Sequence, residues 1–463
     1  MTVAYLDNGD LELEALRQAA QSRLDYQVTR AMRFQHYYDG DEPIRALLDT
    51  EERQTFRTFL RESGANWCEL IVNAVAERLQ VTGFRFDGGG DDLAWQVWQA
   101  SQMDADAELV QTDALVTSSG FVLVQPDDDN PTGVSISPES PMEATVLYEP
   151  GNRRRRIAGY KRFVTDRGQI MEVLITPESV ATWYPTSTVP LVEPNDAGLV
   201  GMIELVPQPR TSGPPRSELT PALPIQDRIN TTIFNRMVAT DYGAFRQIWA
   251  TGVKLAKEVI KDQGGEVTKL VRPYDVGANR LLANENPEGR FGSFPESTLG
   301  GYLSAVEQDV NQLAAITQTP PHYLLGQMVN LSADAIKAAE AGLVAKVRRR
   351  SLHIGEGWEE VMRTALRVIG SPAADDVSAE VRWADFETRS EAQRVDALVK
   401  MRTLNVPLEV LWERWGASPQ DIERWKQLSA AEEASAAAAA AASLSAPDAA
   451  YARLLATAQP EPQ

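Results

Sequence analysis

The 463-residue sequence is short of the side chains from which most catalytic and metal sites are built. A single cysteine, Cys68, excludes an intramolecular disulfide and leaves no basis for a thiolate zinc site, and both facts fit a reducing compartment. The three histidines, His36, His322 and His353, lie far apart with no ligand-spaced neighbour, so packing or surface roles are expected of them. Neither G-x-x-x-x-G-K-S/T, nor G-x-S-x-G, nor H-E-x-x-H occurs, which removes the P-loop, nucleophile-elbow and zincin chemistries. No apolar run approaches the roughly 18 residues of a membrane span. The opening MTVAYLDNGDLELE lacks a basic and then apolar leader, so neither a signal peptide nor a membrane segment is expected. Positive charge is scarce too: 45 Lys and Arg stand against 65 Asp and Glu, a net of −20. That balance argues against a protein that coats nucleic acid; on composition alone it reads first as the acidic surface that keeps many proteins soluble, and it is also compatible with a wall past which a polyanion slides without being gripped. No cofactor and no metal are expected.

What is present is ordinary globular composition, 43% hydrophobic and 24% charged, in a chain long enough for about two to four domains. From Asp10, apolar residues Leu13, Leu16, Ala20, Leu24, Val28 and Met32 recur at helical spacing as far as Tyr38 and stop at Gly40. A second helical face, Trp67 to Leu79, runs into the alternating strand Val81 to Phe86. Asp87 to Asp92, DGGGDD, lacks the ligand spacing of a calcium loop and reads as a turn before a helix. Helical patterns over Leu93–Ser101 and Asp106–Thr117 lead to a buried-looking strand, Gly120 to Gln125, and an acidic turn at Asp127 to Asp129.

From Ala144 to Tyr184 the period changes to two, and four strands are expected as an antiparallel meander with turns at Pro150-Gly151-Asn152 and Asp166-Arg167-Gly168. Arg153 to Arg156, the most basic run, flanks the first turn and reads as a solvated or subunit-bridging hairpin end. A proline-rich connection, Pro207 to Pro224, precedes an amphipathic helix that carries Ile225, Ile229, Ile233 and Met237. Trp249 to Phe294 is irregular, with strand candidates at Val267–Val271 and Arg280–Leu282, and Ser297 opens a further helix. Helices followed by a meander make this an α+β chain.

The most informative stretch is Thr319 to Ile369. Thr319-Pro320-Pro321 ends a helix, because proline lacks the N–H and pushes its predecessor out of the α region. Ser332 is an N-cap with Asp334 in the first turn, and Gly370-Ser371-Pro372 is a stop. Between them Ile336, Leu343, Val347, Ile354, Trp358, Val361, Ala365 and Val368 keep one seam, over about 38 residues or roughly 57 Å. Lys346, Arg348, Arg349 and Arg350 form the basic cluster of this helix, and pairing with acidic neighbouring subunits is expected of it. Beyond it, Val377 to Phe386 reads as a strand, followed by helices from Ser390, Leu408 and Ser418, and an alanine-rich run from Ala430 to Ala442.

The run LAAITQTPPHYLLGQMVNLSADAIKAAEAGL, Leu313 to Leu343, resembles the tunnel-loop region of bacteriophage portal proteins. Ala222 to Gly252, the strand-turn-strand segment Val146 to Phe163 and Ser390 to Trp425 resemble the same family, in order and spacing, over most of the chain. The resemblance implies a portal-like multidomain chain. It would have a wing over 1–220, a stem helix at 221–248, a clip at 249–296, a second stem helix at 297–318 and a tunnel loop at 319–331. The long helix with a wing return strand would occupy 332–386, crown helices 387–442, and a flexible tail 443–463.

The resemblance further implies a homododecameric ring at one capsid vertex of the virion, assembled in the host cytoplasm. Its implied partners are the major capsid protein, the terminase large subunit, a head–tail connector (adaptor) protein and double-stranded DNA in transit. Gln327, Met328, Val329, Asn330 and Leu331, which carry no formal charge, would then form the loop that faces DNA; equally, Met328, Val329 and Leu331 could pack it against its own helix. The other reading is an intracellular metal-dependent hydrolase or nuclease-like enzyme that uses scattered carboxylates. Assembly size separates the two, since a closing heterologous interface makes a ring.

Overall fold

The computed structural model describes residues 13–41, 62–86, 91–187, 189–244, 248–251, 257–262, 265–270, 288–293, 299–326, 333–387, 391–417 and 420–438. The chain divides into two compact units. One comprises Met1–Asp39, Asn66–Leu223 and Ala314–Gln463, and the other Gly40–Ala65 and Pro224–Leu313.

The larger unit begins with α1 (Leu13–Asp39), which Gly40 ends in the left-handed conformation. Then come α2 (Cys68–Ala76), β1 (Val81–Arg85), α3 (Asp91–Ala100) and α4 (Met103–Thr117). Eight strands follow: β2 (Gly120–Pro126), β3 (Val134–Glu139), β4 (Ala144–Glu149), β5 (Asn152–Val164), β6 (Ile170–Ile175), β7 (Ser179–Trp183), β8 (Leu191–Pro194) and β9 (Met202–Leu205). β4 to β7 form the expected four-strand meander, which β8 extends by a fifth strand, in sequence order and wholly antiparallel. Gly151 and Gly168 supply the positive φ angles that its two expected turns need.

Three strands escape the period-two reading. β3 alternates Val134, Ser135, Ile136 and Ser137 but holds Pro138, which is tolerated because β3 is an edge strand of the sheet β3-β2-β9. β8 is a fully exposed edge, and β9 has only four residues.

α1 lays Leu16, Ala20 and Leu24 on the meander, against Leu147, Tyr160, Leu174 and Trp183, so its apolar stripe and the period-two face of the sheet share one core. The main core is elsewhere in this unit. Trp98 sits at its centre, with its ring 5.1 Å from Trp358 and 5.3 Å from Phe84, both edge-on, and its indole N–H donating to Asp104 at 3.0 Å.

In the smaller unit, α5 (Leu223–Ala244) starts at the unit boundary and buries Ile225, Ile229 and Ile233. Among the described residues the irregular region resolves into two antiparallel pairs. β10 (Ile248–Thr251) pairs with β13 (Arg290–Ser293), and β11 (Lys257–Asp262) with β12 (Gly265–Leu270). The strand expected at Val267–Val271 is β12, and that at Arg280–Leu282 lies outside the described residues. α6 (Gly300–Thr317) buries Val310 and Leu313, but leaves Leu303 54% exposed, so only the end of its expected seam is covered. Within this unit Arg228 of α5 bonds Asp309 of α6 at 2.9 Å.

Back in the larger unit stand α7 (Pro321–Leu325) and α8 (Ala333–Val368), a 36-residue helix. Its expected seam is buried at Leu343, Val347, Ile354, Trp358, Val361 and Ala365. Gly370, at φ 70°, closes it, with its N–H on the Arg367 carbonyl and the Ser371 N–H on that of Leu366. The strand expected over Val377 to Phe386 shortens to β14 (Glu380–Trp383), because Val377 is 92% exposed and has nothing to pair with. β14 pairs with β1 across about 300 residues of chain and so closes the main core. α9 (Glu391–Thr403), α10 (Leu408–Trp415) and a helix over 420–438 complete the described chain.

Candidate functional site: the anchored flanks of residues 327–331

Gln327, Met328, Val329, Asn330 and Leu331 lie outside the described residues, as does the expected cap Ser332. The structure instead shows what holds the chain on either side of them. Upstream, α6 ends with Gln318 in the left-handed conformation (φ 55°), and the Thr319 N–H returns to the Ala314 carbonyl at 3.0 Å. The stretch expected as loop from Thr319 is here α7, a single turn with Pro321 at its first position, where the missing N–H costs nothing. His322, expected on an exposed loop, is therefore a half-buried helical residue packed 4.7 Å from the Tyr323 ring. Gly326 terminates α7 at φ 64°, its N–H on the His322 carbonyl.

Two contacts fix α7. The Trp67 indole donates to the Leu324 carbonyl at 3.0 Å. The Arg78 guanidinium donates to the Tyr323 hydroxyl at 2.9 Å, that hydroxyl donates to Glu340 of α8 at 3.1 Å, and Arg78 stands 3.8 Å from the same carboxylate. Tyr323 thus ties the element before residues 327–332 to the element after them.

The other anchor is a buried ionic knot on α8. Lys346, only 3% exposed, donates to the Thr317 carbonyl at the end of α6 at 2.8 Å and lies 3.7 Å from Glu218. Arg350, one turn on, also donates to Glu218, which receives Gln208 at 2.7 Å as well. The Glu218 N–H donates to the Leu115 carbonyl at the end of α4, so its carboxylate is placed by backbone as well as by charge. Burial lowers the Lys346 pKa and Arg350 pushes the same way, while Glu218 opposes both.

This corrects the expectation for the basic cluster. Lys346 and Arg350, four apart and so on one face, pair inside their own chain, and Arg348 reaches Glu387 at 3.0 Å. Only Arg349 faces outward without an ion pair among the described residues. The acidic partner, Glu218, comes from the proline-rich connection, and no periodicity announces a residue there. Arg156 likewise leaves the solvated run to bond Glu360 of α8 at 2.9 Å, while Arg153, Arg154 and Arg155 stay exposed.

A second polar cluster, unforeseen from sequence, lies in a groove of about 800 Å³ bordered by Arg23, Arg30, Arg153 and Arg210. Glu204 at its floor accepts from Ser119 at 2.6 Å, Tyr148 at 3.0 Å and Arg23 at 3.5 Å, and burial raises the Tyr148 pKa well above its ordinary value. Among the described residues no three His, Cys, Asp or Glu side chains converge as a metal site would require, and no helix is long and apolar enough to cross a membrane.

The sequence model of the phage portal family, SPP1 Gp6-like, matches residues 19–435. This chain belongs to the phage portal protein family. The portal protein of Mycobacterium phage L5 is 30% identical over 386 residues, covering 79% of this chain and 77% of its own. That of Mycobacterium phage D29 is 28% identical over 420 residues, 85% of this chain and 84% of its own. Among solved structures, a chain from the virion of a native gene transfer agent particle aligns over 84% of this chain and 89% of its own, with a TM-score of 0.39 at 13% identity. The portal family is a structural, non-enzymatic one whose members form oligomeric rings in phage capsids, so this portal chain is an α+β virion component.

Proposed function

We propose that this portal chain closes into a ring of about twelve copies at one capsid vertex. The ring is the channel for DNA packaging and ejection, and the docking site for the terminase large subunit and a head–tail connector protein, seated among major capsid protein subunits and assembled in the host cytoplasm. In this reading 1–220, with the return strand that ends 332–386, is the wing. Residues 221–248 and 297–318 are the stem, 249–296 the clip, 387–442 the crown, and 327–331 the part of the tunnel loop that meets DNA.

The observation that carries it is the pair of anchors. Six uncharged residues, Gln327 to Ser332, lie between Gly326 and α8, both held by buried polar contacts from Trp67, Arg78, Glu218 and Lys346. A segment fixed at both ends and free of formal charge can stay close to a moving polyanion without binding it, since its amides exchange hydrogen bonds with phosphate or water at little net cost. The net charge of −20 acts in the same direction. Replacing Gln327 and Asn330 by lysine should leave assembly intact and stall packaging. Normal packaging by fully assembled variant rings would remove the loop from the DNA path.

A further inference from the structure

α9, α10 and the helix over 420–438 enclose an apolar groove of about 510 Å³. Its walls include Val395, Val399, Leu408, Trp412, Trp415 and Trp425, and among the described residues Arg402 is the only charged side chain lining it. Val395 is 43% exposed, Val399 58%, Leu408 44% and Trp415 37%, while Leu411 below them is buried and the Trp412 and Trp425 rings meet edge-on at 5.5 Å. Among the described residues nothing lies over this patch, and an apolar patch left uncovered is an aggregation hazard.

The chain itself supplies a match. After the alanine run, the large apolar residues of the last twenty-one positions are Leu444, Tyr451, Leu454 and Leu455. Tyr451, Leu454, Leu455 and Ala458 are spaced i, i+3, i+4, i+7, one face of a helix, and Pro447-Asp448 is a start signal for it. The length suffices. Ala438 stands 13 residues beyond Trp425, about 20 Å along a helix, and residues 439–450 can span up to roughly 40 Å when extended. Charge agrees as well: Arg402 donates to the Val406 carbonyl at 3.2 Å and has no carboxylate partner among the described residues, and Asp448 precedes the apolar face.

We propose that residues 448–458 fold back as an amphipathic turn and seat Tyr451, Leu454 and Leu455 in the α9–α10 groove of their own chain, with Asp448 towards Arg402. The tail thereby covers the apolar face of the C-terminal helices.

Hydrogen exchange on the full-length, assembled protein tests this, comparing wild type with Leu454→Asp/Leu455→Asp. Light scattering checks that assembly size is unchanged. Peptides covering 448–458 should exchange at least about tenfold more slowly in the wild type than in the variant, and α9 and α10 should exchange faster in the variant. Exchange of 448–458 at free-peptide rates in the wild type, or α9 and α10 indifferent to the variant, overturns the proposal. Val399→Cys/Leu455→Cys then assigns the chain: a bridge within one chain upholds it, whereas bridges only between chains, or none, overturn it.

Discussion

The two halves of α8 share one apolar seam, which reaches Leu343 and Val347, but only the N-terminal half adds a buried ionic knot to it. From Ile354 to Leu366 the helix lies in a dry aromatic and aliphatic core around Trp98, Trp358 and Phe84. From Glu340 to Arg350 it is held by buried charge, with Glu340 tied to Tyr323 and Arg78, and Lys346 and Arg350 tied to Glu218 and to the end of α6. Apolar burial is non-directional and tolerates small shifts, whereas a buried ion pair is stable only near one geometry and contributes little net stability over an apolar substitute. The difference teaches a division of labour along one rod: the C-terminal half supplies stability, and the N-terminal half sets position, at the end that follows residues 327–331 in the chain.

The largest effect should come from the dry half. Trp358→Ala removes one of the two tryptophans that meet at the core centre and should cost about 3–5 kcal/mol, read by denaturant unfolding of the purified protein. A loss under about 1 kcal/mol would show that the dry half does not carry the stability.

The ionic half should behave differently under paired substitution. Glu218→Gln strands Lys346 and Arg350 and should cost about 3 kcal/mol, because an unpartnered buried charge remains. Adding Lys346→Met should restore part of that loss, a coupling of about 1–3 kcal/mol in a double-mutant cycle. Strict additivity would mean that the two side chains do not form one unit.

Two glycines sharpen the contrast at smaller scale. A Cβ on Gly357 would meet Leu205 Cγ at 2.8 Å, so Gly357→Ala should cost about 1–3 kcal/mol. A Cβ on Gly355, two residues away, meets nothing nearer than the Trp383 indole nitrogen at 3.6 Å, and Gly355→Ala should gain about 0.5–1 kcal/mol of helix stability. Thermal melts of both variants at one scan rate decide it, and equal shifts would deny the close approach of α8 to β9.

The smallest effect is a pH slope. The folded-state pKa of Lys346 lies below its unfolded value, so the native chain binds this proton less than the unfolded one does. The resulting penalty is fully present below the folded pKa and relieved as pH rises from there towards the unfolded value near 10.5. Wild type should therefore gain stability relative to Lys346→Met between neutral pH and about pH 10. A flat difference would place Lys346 in water.

Much of this was legible in the sequence for a physical reason. The seam from Leu343 to Ala365 and the stop at Gly370 repeat a helical period over many turns, and the meander turns at Gly151 and Gly168 need a conformation that glycine adopts most cheaply. β3, β8 and β9 were not legible, because a proline, a wholly exposed edge and a four-residue length each erase the alternation. The ionic knot was half visible. Lys346 and Arg350 share a helix face, but Glu218 sits in a segment without period, so the sequence offers two cations and conceals their anion. The anchors of α7 were hidden for the same reason, since Trp67 and Arg78 lie about 250 residues before their partners.

The central claim, a ring whose axial channel is lined by an anchored, uncharged loop, is tested most directly by electron cryomicroscopy of the purified, full-length assembly. The account requires a closed ring of about twelve copies with residues 327–331 at the axial opening and Glu218, Lys346 and Arg350 paired within each copy. A monomer or small oligomer, or a ring in which 327–331 face the outer rim, would contradict it.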